Sequence, residues 1–307
     1  MFPSFLPASV GQLTEPNSID LASQIQRVEI ATSLVSQTIS TSYMCQGTGG
    51  VPIVFLHGFD SSLLEFRRII PIIAAQQQVW AIDLLGFGFT ERLADCPFSS
   101  ASICTHLQAF WQQMINQPMI LVGVSMGGAA AIEFTLKYPQ AVDRLVLIDS
   151  AGFSQPPAMG KFLIQPLGRL ATKFLSSSNV RQAVSEKAYF DKVFATADAQ
   201  LCAALHLEMP RWSETLITFT RSGGYGYLID RLPEIHQETS IVWGRQDRIL
   251  GSSPAEKFQR SLTNSQLYWV DNCGHVPHLE QPIITVKLIL DFITRSSKLE
   301  PEENNCV

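Results

Sequence analysis

The sequence ILVGVSMGGAAA at residues 120–131 combines an apolar run, the pattern Gly-X-Ser-X-Gly and a series of small residues. The glycines at 123 and 127 flank Ser125, which this pattern places on a sharp turn between a strand and a helix, with its hydroxyl exposed. The amide of Met126, at the start of that helix, would point to the place where a carbonyl oxygen becomes negative during nucleophilic attack. The stretch therefore predicts Ser125 as a nucleophile and the Met126 N–H as one donor of an oxyanion hole.

Six short runs, including the one that precedes Ser125, consist almost entirely of apolar residues. Strands that are buried on both faces of a parallel sheet have this composition. The runs are residues 52–57, 79–83, 119–124, 144–149, 240–244 and 267–271. Helical patterns lie between most of them, at 62–75, 100–115, 126–138, 254–261 and 282–295. The alternation predicts an α/β fold with a mostly parallel, twisted sheet flanked by helices.

The two ends of the chain and one long interval depart from this alternation. Residues 1–47 are predicted to form an N-terminal arm, irregular to about residue 24, followed by two antiparallel edge strands. The interval between Asp149 and Ser240 contains helical patterns but no convincing buried strand, and a connection of that length is expected to have its own structure. We therefore predict a helical cap at 153–232, inserted into a core of residues 48–152 and 233–296. The acidic tail, 297–307, is predicted to be disordered.

Composition excludes several classes of function. The net charge of −5, with 22 Lys and Arg, gives no basic field for a polyanion, so no nucleic-acid partner is expected. The N-terminus lacks a basic region, and no apolar run approaches ~18 residues, which predicts a cytoplasmic protein. Six cysteines without a CxxC pair indicate neither a metal site nor a disulfide framework. The mean hydropathy of +0.13 is compatible with an apolar pocket or with peripheral contact to a membrane or pigment lipid.

An acid and a base for the nucleophile follow two other predicted strands. Asp247 ends the sequence WGRQD after one strand, and His275 lies in NCGHVPH after the next. The carboxyl ends of parallel strands line one edge of a sheet, so both side chains can converge with Ser125. The order Ser, Asp, His is also the order that accompanies this type of nucleophile turn. A Ser125, His275 and Asp247 triad is therefore predicted.

Other residues compete for these roles. Asp149, also at a strand end, is an alternative acid, although its expected role is to cap or orient the loop that leads into the cap. His278 competes with His275, but the glycine before His275 suits a tight turn that aims its ring. The remaining histidines are interpreted as structural or surface residues: His57, His106, His206 and His236.

A second oxyanion donor is predicted after the strand at 52–57. The sequence HGFDSS makes a tight turn that would direct the backbone N–H of Phe59 to the same position as the Met126 N–H. Asp60 and Ser61 either line the pocket or cap the helix that begins near Ser62, and capping is the preferred interpretation. The glycines of DLLGFGFT at 83–90 match neither GxGxxG nor GxxxxGK, so no cofactor is expected.

Five motifs in the expected order resemble those of the α/β-hydrolase fold superfamily, over about residues 50–295. They are HGF at 57–59, DLLGFGFT at 83–90, GVSMGG at 123–128, WGRQD at 243–247 and CGHVPHLEQP at 273–282. The resemblance implies Ser125 as nucleophile, His275 as base, Asp247 as acid and the Phe59 and Met126 amides as oxyanion hole, without a cofactor or metal. The segments 57–71, 79–90 and 222–228 also resemble chlorophyll dephytylase-like hydrolases of photosynthetic organisms, which cleave a phytyl ester.

The resemblance implies a serine hydrolase that cleaves a carboxylic ester with an apolar group through an acyl-enzyme. Apolar residues are frequent in the cap between Phe153 and Leu207, and part of them is predicted to line a tunnel above Ser125. A C–C bond hydrolase or a cofactor-free perhydrolase keeps the same residues and stays an alternative, as does a non-catalytic binding protein on this scaffold. Dehalogenases and epoxide hydrolases of this fold need an aspartate at position 125 and are excluded. The oligomeric state stays open.

Overall fold

The computed structural model describes residues 1–153 and 165–296. Its centre is an eight-stranded sheet with the order β1-β2-β4-β3-β5-β6-β7-β8. The strands are β1 (Gln26–Ile30), β2 (Ile39–Gln46), β3 (Ile53–Leu56), β4 (Val79–Ile82), β5 (Met119–Val124), β6 (Val142–Ile148), β7 (Glu238–Gly244) and β8 (Ser265–Val270). Strand β2 runs antiparallel to β1 and β4, and the other pairs are parallel. The predicted mostly parallel sheet is thus confirmed.

Helices cover both faces of the sheet because the strands are apolar on both sides. Val54 and Leu56 of β3 belong to one buried cluster, whereas Ile53 and Phe55 belong to a second cluster on the opposite face. The first face is covered by α3 (Ser100–Phe110), α4 (Met126–Lys137) and α9 (Ser253–Ser261), and the second by α1 (Pro16–Ser23), α2 (Ile70–Ala74) and α11 (Pro282–Ser296). The short helix α10 (Pro277–Glu280) precedes α11. Within the described residues, no helix is long and apolar enough to span a bilayer.

Three local expectations differ from the structure. The arm that was expected to be irregular contains a 3-10 helix at Ala8–Gln12 and the helix α1. The helix expected at 62–75 is divided into a 3-10 helix, Leu63–Phe66, and α2, which begins next to Pro71. Proline favours the first turn of a helix and interrupts its interior, which explains the division. The helix expected at 100–115 continues after α3 as a π-helical turn, Trp111–Ile115.

The segment between β6 and β7 forms helices over the carboxyl edge of the sheet. These are α5 (Gln165–Leu175), α6 (Ser178–Ala188), α7 (Ala197–Cys202) and α8 (Trp212–Arg221), with short 3-10 helices between them. Part of the apolar stretch predicted in the cap between Phe153 and Leu207, namely Met159, Phe162, Leu163 and Ile164, lies outside the described residues, as does the tail at 297–307. The domain boundaries therefore stay a prediction.

Several hydrogen bonds bind the N-terminal arm to the cap, and most of them are accepted by the carboxylate of Asp198. Asp198, in the first turn of α7, accepts hydrogen bonds from the Thr14 N–H, the Glu15 N–H at 2.9 Å and the Ser18 hydroxyl at 2.5 Å. Glu15 also pairs with Arg68 of the core at 2.7 Å. The arm therefore contacts both the cap and the core, although it is far from both contact residues, Asp198 and Arg68, in the sequence.

Candidate active site

Ser125 lies on the turn between β5 and α4 with a strained backbone. Its φ is +50° and its ψ is −116°, a combination that is costly for a residue with a side chain. Its N–H donates to the Ile148 carbonyl at 3.0 Å, and its carbonyl accepts from the Ala151 N–H at 2.9 Å. These bonds to the end of β6 hold the turn in place.

The glycines around Ser125 are required by close backbone contacts. A Cβ on Gly123 would collide with the Gly127 carbonyl, and a Cβ on Gly127 would collide with the Leu56 carbonyl of the neighbouring strand. A Cβ on Gly128 would meet the Ser150 hydroxyl. Helix α4 therefore packs directly against β3 and β6, which fixes the position of its N-terminus beside Ser125.

His275 and Asp247 meet at the carboxyl ends of β7 and β8. The His275 Nδ1 lies 3.0 Å from Asp247 Oδ2. The other carboxylate oxygen accepts from the Ile249 N–H at 2.7 Å and the Leu250 N–H at 3.1 Å. Burial alone would raise the pKa of Asp247, but the contact with His275 and these two amides lower it below its ordinary value. Asp247 is therefore an ionised partner that can hold the His275 ring in one orientation.

Asp149, the alternative acid, lies beside Asp247 in a different electrostatic state. Its carboxyl accepts from the Gly244 N–H at 3.1 Å. Burial, and then the negative charge of Asp247, raise the pKa of Asp149 well above its ordinary value, which favours its protonated form. Ligand atoms of Asp149, Asp247 and His275 all lie within 4.8 Å of one another, and we interpret the group as a hydrogen-bonded chain rather than a metal site.

The peptide between Gly58 and Phe59 is held in one orientation by His57. The buried His57 ring donates from Nδ1 to the Gly58 carbonyl at 2.8 Å and accepts from the Leu84 N–H on Nε2 at 3.1 Å. Burial lowers the pKa of His57 to about 3, so the ring keeps this neutral form. In a trans peptide the N–H is antiparallel to the C=O, and the Phe59 N–H therefore points away from His57. This orientation suits the predicted role of the Phe59 amide.

Known proteins share this arrangement of fold and sequence. A family model described as the alpha/beta hydrolase fold matches residues 51–282. The chain is 35% identical over 298 residues to the alpha/beta hydrolase domain-containing protein VTE7 of Arabidopsis thaliana, covering 95% of this chain and 90% of VTE7. The chain belongs to the α/β-hydrolase fold family.

More distant relatives of this hydrolase agree with the fold. A 2-hydroxymuconate semialdehyde hydrolase from Pseudomonas sp. strain CF600 is 26% identical over 279 residues, which cover 87% of this chain and 95% of the relative. The structure of a thermophilic esterase from Thermogutta terrifontis superposes with a TM-score of 0.76 at 20% identity, covering 88% of this chain and 98% of the esterase. The predicted fold is confirmed.

Ser125 and His275 of the hydrolase line one cavity of about 300 Å³ between core and cap. Its apolar wall includes Val124 and Val276 of the core and Val184 of α6. The cavity also contains polar side chains that sequence reasoning missed, among them Glu65 and Arg67. A larger set of apolar and small residues completes the wall: Ala188, Tyr189, Ala199, Cys202, Ala203, Ile249 and Leu279.

Glu65 and His278 form a second acid and histidine pair in this cavity. Glu65 accepts from the Gly58 N–H at 3.1 Å, and His278 Nε2 lies 3.6 Å from Glu65 Oε1. Burial raises the pKa of Glu65 to about 7 and lowers that of His278 to about 3. His278 therefore lies beside Glu65 as an uncharged ring at neutral pH.

Glu280 fastens the His275 loop to the cap. It accepts from the Gly274 N–H at 2.7 Å and, on the cap side, from the Phe190 N–H at 3.0 Å and the Asp191 N–H at 2.7 Å. The His275 N–H itself donates to the Ala188 carbonyl of α6 at 2.7 Å. The only signal in the sequence was the motif CGHVPHLEQP, which contains Glu280 but does not identify its partners.

The remaining predicted residues have structural contacts. His106 lies 2.8 Å from the Thr41 hydroxyl, and Asp83 accepts from the Leu63 N–H at 2.7 Å and the Phe89 N–H at 2.8 Å. Asp83 thus caps the 3-10 helix at Leu63–Phe66, and the preferred interpretation of Asp60 as its cap is wrong. Asp60 and Ser61 line the cavity instead.

Proposed function

We propose that this hydrolase cleaves carboxylic esters with an apolar group through an acyl-enzyme formed on Ser125. The observation that carries the proposal is that Ser125, on its strained turn, and His275, which is bound to Asp247, line one cavity. His275 takes the Ser125 proton as the oxygen attacks the ester carbonyl, and the amides of Phe59 and Met126 stabilise the resulting oxyanion. The alcohol leaves with that proton. Water, deprotonated by His275, then releases the carboxylic acid and restores the Ser125 hydroxyl.

The cavity supports an apolar group on the substrate. Val184, Val276 and Leu279 contribute to its wall, and each buried methylene of a ligand contributes about 0.8 kcal/mol. The sequence resemblance to chlorophyll dephytylase-like hydrolases makes a phytyl ester one candidate substrate. A cytoplasmic enzyme with peripheral contact to a membrane or pigment lipid is consistent with such a substrate.

The experiment that tests this proposal is labelling with a fluorophosphonate, combined with ester turnover. The wild type is expected to be labelled on Ser125, and Ser125→Ala is expected to lose both labelling and turnover while keeping its circular dichroism spectrum and melting temperature. Thr263→Ala, at a hydroxyl bonded to Ile235 far from the cavity, is the control and should retain both activities. A folded wild type that is neither labelled nor active on esters would instead support the non-catalytic binding protein.

The length of the apolar group should affect the rate. We expect kcat/KM for p-nitrophenyl esters to rise by at least about tenfold from acetate to a medium or long chain, because one and a half to two buried methylenes account for that factor. Release of phytol from detergent-dispersed chlorophyll is the parallel assay. A steady decline with chain length and no phytol release would leave a small-ester hydrolase.

A C–C bond hydrolase is the second candidate, and the polar end of the cavity favours it. Arg67, which is 1% exposed, lines the cavity near Glu65, so a substrate with a polar or acidic group has a cationic side chain to contact. The relative named for 2-hydroxymuconate semialdehyde suggests the assay. Loss of the absorbance of a 2-hydroxy-6-oxo-2,4-dienoate with kcat/KM above that for any ester would favour this candidate.

A further inference from the structure

Asp60 of the core accepts hydrogen bonds from three separate elements of the cap. Arg181 of α6 donates from Nη1 to Asp60 Oδ2 at 2.6 Å. The His206 Nε2, on a 3-10 helix after α7, lies 3.0 Å from Asp60 Oδ1, and the Trp212 Nε1 of α8 donates to the same oxygen at 2.7 Å. The Asp60 residue is only 8% exposed. One carboxylate therefore connects the core to three cap segments.

The Asp60 carboxyl is ionised at neutral pH. Burial would raise its pKa, but the bonds from His206, Arg181 and Trp212 lower it well below the ordinary value. Burial lowers the pKa of His206, although the neighbouring Asp60 acts against this shift, and a proton on Nε2 lets the ring donate to Asp60. Loss of any donor would leave part of a buried negative charge unsatisfied.

Asp60 directly follows Phe59, whose amide is the proposed oxyanion donor. On the core side, His57 binds the carbonyl of the peptide between Gly58 and Phe59, and Glu65 accepts from the Gly58 N–H of the preceding peptide. On the cap side, the Phe59 ring lies 6.2 Å from the ring of Phe219 in α8, the helix that carries Trp212. Asp60 itself has φ of +50°, so its backbone is held in a conformation that it would not adopt freely.

We infer that Asp60 is a positioning residue through which the closed cap sets the oxyanion hole. The inference rests on the proposed function, because it assigns Asp60 a role in the same reaction. With the three cap donors bound to Asp60, the Phe59 N–H is held where the oxyanion develops. When the cap is displaced, the Phe59 N–H moves away from that position. Catalytic competence is thereby coupled to the arrangement of the cap around the substrate.

The test compares variants of this cluster by kcat, KM and the Ki of 1,1,1-trifluoroacetone. The Ser125 oxygen attacks the carbonyl carbon of this ketone, and the proton of the Ser125 hydroxyl passes to His275. The resulting hemiketal oxyanion occupies the oxyanion hole. We expect Asp60→Asn to lower kcat by about 10²-fold and to raise Ki by a similar factor, since that is the usual effect of losing one oxyanion donor. The KM for a short ester should change by less than about threefold. Trp212→Phe and Arg181→Met each remove one donor and should show the same pattern with about tenfold effects.

Asp198→Asn is the matched control, because Asp198 also joins the cap to another part of the chain by accepting several hydrogen bonds. It should leave kcat and Ki nearly unchanged. An equal loss in Asp198→Asn, or a change confined to KM in the three cluster variants, would show general loosening of the cap and overturn the inference. If Asp60→Asn does not fold, Trp212→Phe and Arg181→Met decide the question. A wild type without fluorophosphonate labelling or ester turnover would refute the proposed function, whereas active wild type with unaffected variants would refute only the role of Asp60.

Discussion

Asp149 and Asp247 lie side by side at the carboxyl ends of β6 and β7, yet their pKa values shift in opposite directions. The pKa of Asp149 is raised by burial and by the charge of Asp247. Burial also acts to raise the pKa of Asp247, but His275 and two backbone amides outweigh it. The two shifts therefore favour Asp247 over Asp149 as the anion that a histidine base requires.

This difference predicts unequal effects of two isosteric substitutions. Asp247→Asn should lower kcat by about 10⁴-fold, because an amide favours the wrong tautomer of His275. Asp149→Asn should lower kcat by less than about tenfold, because an amide resembles the protonated carboxyl that the raised pKa favours, and a single hydrogen bond is worth about 1 kcal/mol. Steady-state kinetics on one ester measures both. Equal losses would mean that the two carboxyls share the role of acid.

The positions of the predicted nucleophile, acid and base could be inferred because each lies within a few residues of the end of an apolar run. Ser125, Asp247 and His275 lie at strand ends, and parallel strands bring their ends to one edge regardless of separation in sequence. Asp60 and Glu280 could not be assigned in this way, since their partners lie on cap elements whose packing has no periodic signal. Arg181, for example, is separated from Asp60 by 121 residues.

At the scale of elements, the contact between α4 and β3 determines the geometry of the site. The sequence predicted α4 and the strands around it to within a few residues, because their apolar runs are long and bounded by turns. It did not predict the division of the segment at 62–75, where Pro71 in the first turn of α2 is the signal for the break. Close approach of α4 to the sheet was indicated by the small residues after Ser125.

Gly127→Ala should therefore destabilise the protein strongly. Its Cβ would overlap the Leu56 carbonyl, which belongs to a central strand and cannot move away. We expect a loss of about 3 kcal/mol or more in the free energy of unfolding, measured by urea denaturation, or failure to obtain soluble protein. Gly11→Ala is the control, because an added Cβ there meets nothing within 4 Å, and its effect should stay within about 0.5 kcal/mol. Similar stabilities of the two variants would refute the close contact.

For the whole molecule, two sets of buried groups make stability depend on pH in opposite directions. Among the described residues, burial lowers the pKa of four histidines and raises that of four carboxyls. The histidines are His57, His106, His206 and His278, and the carboxyls are Glu65, Asp83, Glu133 and Asp149. The histidines stabilise the folded state above their unfolded pKa of 6.5, and this contribution is lost as the pH falls. The carboxyls contribute stability at acidic pH, which is lost as the pH rises towards 7.

Between pH 5 and 6 the contributions of the histidines and the carboxyls to the pH dependence of the unfolding free energy largely cancel. Substitution of one group from each set should therefore reveal its separate contribution. His106 has a pKa of about 4 because it is buried, so His106→Gln removes one proton that only the unfolded state binds. Glu65→Gln removes one proton that only the folded state binds, because burial raises the Glu65 pKa to about 7. Relative to wild type, the slope of unfolding free energy against pH should become more negative in His106→Gln and more positive in Glu65→Gln, each by about 1.4 kcal/mol per pH unit. Urea denaturation at pH 5.0, 5.5 and 6.0 measures these slopes. Three parallel lines would show that neither group keeps a shifted pKa in the folded protein.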